Sequence, residues 1–581
     1  MRTKNNGELR IENVGQKVTL VGWCAKSRDL GGLLFIDLRD RYGITQLAVK
    51  PENPCYEVAC SVKNEYVLQV TGTVIKRESP NRNIPTGEIE IDVEKLVIIN
   101  EAEQTPILIQ DKIDASEDTR MKYRYLDLRR PAMYNNLLLR HKCTIAVRNY
   151  FDELDFVEIE TPFLGKSTPE GARDFLVPSR VHQGSYYALP QSPQMYKQLL
   201  MVAGFERYFQ IAKCFRDEDL RADRQLEFTQ IDVEMSFIDE ETIQNVIEGL
   251  LKRVWKDVLN VEVKTPFEKM KYVDAMNNYG SDKPDTRFGM LLQDISDWAS
   301  TLDFVIFKNA LENKGAVKAI LVKDAANKYS RKEIDRLTEY AKKYHAHGLA
   351  WLKYENNNFA GSIAKFVTPE AGEALINQLN IENNDLVLIV ADTLENCNFS
   401  LGALRLQVGK EMNLIDNSKF NFLWVVDWPL FEYNEEENRY QAAHHPFTSP
   451  KDGDEELLLT HPELCHAKAY DIVLNGYELG GGSIRIHNQD IQAKMFKAIG
   501  LSDEEVKTQF SFFVDALKYG TPPHGGLAIG LDRLVMIMTG NSNLREVIAF
   551  PKAASAKCPM SEAPTPVSNK QLDELGIINK K

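Results

Sequence analysis

A multidomain α/β protein that opens with a five-stranded barrel is predicted, and three observations predict it. First, 581 residues exceed what one hydrophobic core organises. Second, residues 1–105 alternate apolar and polar with period two in segments 18–25, 33–40, 44–49, 66–75 and 89–99, broken only by a helical stretch at 54–62. Five strands with a helix between the third and fourth is the order of an OB-fold barrel. Third, from residue 131 the pattern changes to long amphipathic helices mixed with polar-faced strands.

The intervening residues 106–130 read as a hinge, with Pro106 and a basic run at 121–130. A first α/β block spans 131–285, with a helix at 141–154 and the strand-like VEIETP at 157–162. Residues 286–415 carry none of the chemical signals described below and read as an inserted α/β module. An amphipathic helix is expected there at 332–344, with Ile334, Leu337, Ala341 and Tyr344 at helical spacing. The chemistry-bearing pattern resumes over 416–560, and 561–581 form a tail.

Composition narrows the function classes. The apolar fraction is 43%, and no segment approaches the ~18 uninterrupted apolar residues of a membrane span. The start MRTKNNGELR has no apolar core behind its basic residues, so no secretory signal is expected. Eight cysteines are scattered without a CxxC pair, so neither zinc nor a disulfide framework is expected, and a reducing cytoplasm fits. A net charge of −14 argues against nonspecific coating of nucleic acid; any such contact must use local basic and aromatic surfaces.

Four segments carry chemistry. In the strand 33–40, Leu34, Ile36 and Leu38 face inward, leaving Phe35, Asp37 and Arg39 outward. An outward aromatic beside cations suits base stacking, with Arg28 and Gln46 adding polar readout; packing under a loop explains Phe35 equally well. Next, strands at 207–216 and 226–235 flank a polar loop, with Phe228, Gln230, Asp232 and Glu234 on one face. Arg216 there suits phosphate and Phe228 a purine, although periodicity alone favours a plain solvated face. The run Gly525-Gly526-Leu-Ala-Ile-Gly530-Leu531-Asp532-Arg533 gives close backbone approach ahead of a cation. It is neither a Walker loop nor a dinucleotide fingerprint. Finally, Asp471 and Glu478 flank the turn signal Asn475-Gly476; across a hairpin two such carboxylates converge on magnesium, whereas apart they are surface acids.

Together these segments resemble the class II aminoacyl-tRNA synthetases, and within them the bacterial aspartyl branch. The helix leading to Pro162 looks like the family's first motif, its dimer interface. Residues 215–218 match the F-R-x-E core of the second, and the run ending at Arg533 matches the third. More specific are STPEGARDF at 167–175, QSPQMYKQLLM at 191–201, CFRDEDLRADRQLEFTQIDVE at 214–234, HHPFTSP at 444–450, GYELGGGSIRI at 476–486 and VIAFPK at 547–552.

The resemblance implies an antiparallel-sheet catalytic domain with flanking helices behind an anticodon-binding OB-fold. It also implies ATP-dependent, magnesium-assisted ligation of L-aspartate to tRNA-Asp by a homodimer, with tRNA-Asn as a further candidate. Leu30, where some dual-specificity relatives carry histidine, points to tRNA-Asp alone.

By resemblance, Arg216, Arg533 and Glu478 are catalytic. ATP falls to Arg216, Asp217, Glu218, Gln225, Phe228, Glu478, Gly530, Leu531, Asp532 and Arg533, and magnesium to Asp471 and Glu478. Glu170, Ser192 and Gln194 match residues that bind the aspartate ammonium. Lys197 and Arg485 match those gripping its side-chain carboxylate, with Arg216 on the other carboxylate and Asp232 ordering the pair. His444 lies on a loop closing over the amino acid, and Arg28, Phe35 and Gln46 match anticodon-contacting positions. Charge accounting agrees, since a substrate with two carboxylates and one ammonium needs cations and an anion. Lysine is disfavoured by repulsion from Arg485 and Lys197. Asparagine is disfavoured by the two-cation pocket and the insertion, and a non-catalytic OB-fold RNA binder by the intact Arg216, Arg533, Asp471 and Glu478.

Overall fold

A computed structural model describes residues 1–167 and 172–579. The chain divides into two compact units: Met1–Leu137 with Ala549–Thr565, and Leu138–Ile548 with Pro566–Lys581.

In the first unit, β1 (Lys17–Leu30), β2 (Leu33–Asp40), β3 (Gly43–Val49), β4 (Val67–Lys76) and β5 (Ile89–Asn100) close into a barrel in the order β1-β2-β3-β5-β4. The expected helix is α1, Tyr56–Ser61, between β3 and β4. Leu34, Ile36 and Leu38 are buried and Phe35, Asp37 and Arg39 half-buried, so the alternation selects the faces as read. Part of the segment read as a hinge is helical. Helices Glu117–Lys122 and Arg124–Asp127 gather Arg120, Arg124 and Arg130 on the fully buried Asp127. Burial alone would raise that carboxyl, yet the three guanidiniums hold it below its usual range.

The second unit is organised by an eight-stranded sheet. Its strands are β6 (Val157–Glu158), β7 (Arg207–Phe215), β8 (Glu227–Ser236), β9 (Glu268–Lys271), β10 (Phe422–Val426), β11 (Ala469–Leu474), β12 (Tyr477–Ile484) and β13 (His524–Gly530). They lie in the order β9-β10-β11-β12-β13-β8-β7-β6. The six inner strands pair antiparallel as expected, but both edge pairs, β6 with β7 and β9 with β10, are parallel. A parallel pair needs a long crossover, which the chain between β9 and β10 supplies by carrying the whole insertion. The sequence reading also placed two bounds wrongly. The helix α2 begins at Pro131 and runs to Asp152, since proline suits a first helical turn. Only Val157–Glu158 of VEIETP pairs, as an exposed sheet edge that ends before Pro162.

One sheet face is covered by α2 and by α4 (Glu240–Leu259), around Trp255, Trp424, Ile231 and Val233. The helix α3 (Gln194–Val202) supplies Lys197 to the other face, which bears the polar site. In the inserted module, strands Gln293–Asp294, Ala316–Val322, Asp385–Asp392, Ala350–Glu355 and Asn358–Gly361 form an antiparallel sheet in that order, buried on both faces. The expected amphipathic helix spans Arg331–Lys342, burying Ile334, Leu337 and Ala341; Tyr344 lies past its end.

Candidate active site

The floor of the site follows from strand register. Gln210 on β7 stands opposite Asp232 on β8, which faces Ala528 on β13, Gly481 on β12 and Asp471 on β11. Directly paired residues share a face, so this row sets Asp232 and Asp471 on the same face with only the small Ala528 and Gly481 between them. The result is a cavity of about 580 Å³ that connects the two ends. Two glycines are explained by neighbouring carboxylates rather than by a ligand. A Cβ on Gly526 would lie 2.0 Å from Glu234 Oε2, and one on Gly481 would lie 2.3 Å from Asp471 Oδ1. The sequence reading assigned the glycine run to ligand approach; only Gly530 of its three lines the cavity.

At one end lies a four-membered charge network. Lys197 Nζ donates to Asp232 Oδ1 at 2.6 Å and lies 3.3 Å from Glu234 Oε2. Arg485 forks onto Glu234 through Nε at 3.0 Å and Nη2 at 3.2 Å. Its Nη1 donates to Ser483 Oγ at 2.8 Å and lies 2.6 Å from His445 Nε2. Lys197, Asp232, Glu234 and Arg485 are all buried. Burial raises both carboxyls, but the forked Arg485 holds Glu234 below its usual range, whereas burial and the Glu234 charge leave Asp232 above its own. Glu234 is therefore the partner of Arg485, and Asp232 orders Lys197 alone. Glu234 and His445 were missed as site residues. The alternation that placed Glu234 beside Asp232 was the available signal for the first, and the motif HHPFTSP at 444–450, which contains His445, for the second.

Ser192, Gln194 and His444 line this same end. Among the described residues, Asp232 Oδ2, Gln194 Nε2 and His444 Nδ1 are buried without a hydrogen-bond partner. Such groups are costly unless a ligand engages them. Glu170 lies outside the described residues. The His444 ring packs edge-on against Trp428 at 4.9 Å, and burial followed by the Arg485 charge pushes it down to about 4.

A histidine depressed in the fold binds its proton more readily when unfolded, so stability is full above about 6.5 and declines as pH falls toward 4. Thermal midpoints measured from pH 7.5 to 4.5 should be flat above 6.5 and fall below it. His444→Gln should remove about 1.4 kcal/mol per pH unit from that slope, one proton's worth. An unchanged slope would show that His444 titrates normally.

At the other end, Asp471 and Glu478 line the cavity, brought together by the β11–β12 hairpin with its turn at Asn475 and Gly476. Burial and then the Glu478 charge drive the Asp471 carboxyl well above its usual range, with Asp282 adding to the effect. A buried carboxylate and a half-buried one that repel each other in this way fit a divalent cation. Asp282, which also lines the cavity, was missed because it precedes the insertion, far in sequence from the hairpin.

Between the ends sit the groups expected at the nucleotide. The Arg216 guanidinium lies 5.2 Å from the Phe228 ring centroid, and its buried Nε has no partner among the described residues. Gln225, Glu218 and Gly530 line the cavity. Arg533 joins them and donates through Nη1 to the Glu478 carbonyl at 2.5 Å. Three expectations fare differently. The Leu531 side chain is in the hydrophobic core. Asp532 lines the cavity, with its carboxylate held by Arg140 at 2.5 Å and by the Thr229 amide at 2.7 Å. Asp217 is held by Arg173 at 3.0 Å and does not line the cavity. A sequence motif names consecutive residues, but alternate side chains of a strand or helix start point away from the site.

On the barrel, register puts Arg28 opposite Phe35 and Asp37 opposite Gln46, so all three expected anticodon residues share the outer face. Phe35 is half-buried. Gln46 is buried beneath a network with Arg28, Arg77 and Glu90, so its amide orders cations rather than standing free. Arg77 was not foreseen.

The profile for tRNA synthetases class II (D, K and N) matches residues 116–554, and that for the OB-fold nucleic acid binding domain matches 18–99. The chain belongs to the class II tRNA synthetases. Enzymes named aspartate–tRNA(Asp/Asn) ligase from Bacillus mycoides (strain KBAB4) and Bacillus cytotoxicus are each 58% identical over 580 residues, covering 99% of this chain and 98% of their own. Among solved structures, a putative aspartyl-tRNA synthetase from Leishmania major Friedlin aligns with TM-score 0.59 at 19% identity over 95% of this chain and 94% of that one. Asparaginyl-tRNA synthetase from Pyrococcus horikoshii, complexed with asparaginyl-adenylate, gives 0.58 at 18% identity over 94% and 96%. These likenesses extend the class II synthetase fold across both units of the chain.

Proposed function

We propose that this class II synthetase is an aspartate–tRNA ligase, acting in the cytoplasm, that activates L-aspartate with ATP and transfers it to the 3′ end of tRNA-Asp. The observation that carries the reading is the buried Lys197–Asp232–Glu234–Arg485 network, opening into the same cavity as Arg216, Phe228 and the Asp471–Glu478 pair. The side-chain carboxylate of aspartate fits between Lys197 and Arg485, and its ammonium suits the unpartnered Asp232 Oδ2. Lysine would bring a third cation to Lys197 and Arg485. Asparagine would desolvate both without adding an anion, a loss of several kcal/mol.

In this mechanism the α-carboxylate attacks the α-phosphorus of ATP, the bond to the β-phosphate breaks, and pyrophosphate leaves. The terminal 3′-hydroxyl of tRNA then attacks the adenylate carbonyl and AMP leaves. A carboxylate is already nucleophilic at neutral pH, so Arg216 and Arg533 act by orienting and neutralising phosphate charge, with adenine against Phe228. Asp471 and Glu478 are the residues to hold magnesium, which when bound neutralises nucleotide phosphate charge.

ATP–pyrophosphate exchange with single amino acids tests this. Aspartate alone should support it; comparable kcat/KM with asparagine or lysine would overturn the reading. The name of the Bacillus relatives favours a second reading, in which tRNA-Asn is charged as well, while Leu30 points to tRNA-Asp alone. Parallel aminoacylation of both tRNAs decides between them.

The outer barrel face is the anticodon surface in this reading. Phe35→Ala should cost ~1–3 kcal/mol in tRNA recognition by losing one stacked base, with exchange unchanged because that step needs no barrel. Equal losses in both assays would make Phe35 structural. We also infer a homodimer joined through α2, as befits the family's first motif. An active monomer by light scattering at micromolar concentration would refute it.

A further inference from the structure

We propose that Arg405, carried by the inserted module, is a positioning residue for the metal–nucleotide end of the site, holding the Asp282 loop toward Asp471 and Glu478. The inference rests on the magnesium assignment above and gives the insertion a role in catalysis.

Arg405 lies on the helix Leu394–Glu411 and is only 1% exposed. Its Nη2 donates to the carbonyls of Asp285 at 3.0 Å, Phe288 at 2.7 Å and Gly289 at 2.8 Å, and its Nε to that of Met290 at 3.1 Å. The guanidinium also lies 3.9 Å from the Phe288 ring centroid and 4.8 Å from that of Tyr279. No carboxylate among the described residues forms an ion pair with it, so the cation is balanced by the backbone dipoles of 285–290 and by two ring faces, Phe288 in that loop and Tyr279 at the end of the helix before it. A buried cation with that many acceptors fixes the loop's path, because any displacement strands the charge.

Two further contacts fix the other side of Asp282. A Cβ on Gly402 would fall 2.6 Å from the Gly280 carbonyl oxygen and 2.8 Å from that of Tyr279, so this helix packs backbone to backbone on the approach to the loop. Lys318 of the inserted sheet donates to the Asn277 carbonyl at 2.7 Å and to Asn398 Oδ1 at 2.6 Å. Asp282 therefore sits between residues 277–280, clamped by the module, and the module's own entry at 286–290, which Arg405 holds together with Asp285.

The loop in turn abuts the metal-site hairpin. The Asp285 Cβ lies 3.2 Å from where a Cβ on Gly476 would stand, and Gly476 takes a φ of +84° that other residues adopt at a cost. Asn421 bridges the two parts, donating from its side chain to Thr286 Oγ1 at 3.4 Å and from its amide to Asn475 Oδ1 at 2.9 Å. Asp282 itself lines the cavity that Asp471 and Glu478 share. A simpler role, in which Arg405 only fills the module's interior, predicts lost stability with no change at the metal site.

The test uses the full-length enzyme with ATP present and Mn²⁺ as probe, reading free Mn²⁺ by electron paramagnetic resonance. Arg405→Met should raise the Mn²⁺ concentration for half-saturation about tenfold, the scale for loss of an outer positioning group. The KM for aspartate should be unchanged. Asp282→Asn should reproduce the metal effect without loss of thermal stability, and the double variant should bind Mn²⁺ no more weakly than the worse single one. Gly402→Ala, which forces the same helix off the loop, carries the test if Arg405→Met does not fold. A lowered thermal midpoint with unaltered Mn²⁺ binding, or multiplicative effects in the double variant, would overturn the proposal. Asp471→Asn separates the two readings. Intact Mn²⁺ binding there sinks the metal assignment and the positioning role with it. Loss there without an effect at Arg405 sinks the positioning role alone.

Discussion

In the Arg485→Leu variant, kcat/KM for aspartate in pyrophosphate exchange should fall several hundred-fold or more, ~3–5 kcal/mol. Leucine keeps apolar bulk but removes the fork, leaving Lys197 as a point charge without matching geometry. The surroundings sharpen the expectation. Arg485 is 2% exposed and its fork is what keeps Glu234 ionised, so the variant also strands a buried carboxylate. Thermal stability should therefore drop together with activity. Adding Glu234→Gln should recover stability by removing the stranded charge while leaving aspartate use impaired. ATP affinity should hold, because Arg216 and Arg533 stand apart from this network. Asparagine should remain a poor substrate, since Lys197 still favours a charged ligand. A fall in kcat/KM below about tenfold, ~1.4 kcal/mol, would mean that Arg485 is not the carboxylate anchor.

For Arg216→Gln we expect kcat in exchange to fall about 10²–10³-fold, the scale seen when one preorganised donor at a developing charge is removed. Little stability should be lost. Among the described residues the Arg216 side chain makes no ion pair, its buried Nε has no partner, and its guanidinium rests against the Phe228 ring. A cation held so loosely in the free protein is there for a ligand rather than for the fold. The KM for aspartate should rise as well, because this residue is assigned to its α-carboxylate. Single-turnover adenylate formation separates chemistry from binding. A variant that lost thermal stability while keeping near-normal kcat would show that Arg216 is structural.

Much of this was readable from local pattern. Period-two alternation gave the barrel strands and the correct inward set Leu34, Ile36 and Leu38, because strand side chains alternate whatever the partner strand is. The same rule put Phe228, Gln230, Asp232 and Glu234 on one face, and Asn475-Gly476 marked the hairpin that joins Asp471 to Glu478. Errors arose where the signal was not local. Within 106–130 the charges gave no sign in sequence that three arginines satisfy one buried aspartate. Leu531 belongs to the right motif but faces the core, whereas Asp532 lines the cavity with its carboxylate on Arg140.

The sequence by itself determined which elements form, which face of each strand is polar, and the family to which the motifs belong. Only the tertiary structure decided which charges meet. Arg485 and Glu234 lie 251 residues apart, and their pairing follows from β12 and β8 lying on either side of β13, with Gly526 leaving room for the carboxylate. The same holds for Asp282 beside Asp471, and for Arg405 reaching from the insertion to a loop more than a hundred residues earlier. The physical reason is range: side-chain direction is set by a residue's own backbone, whereas the partner of a buried charge is set by strand order and register across the whole sheet.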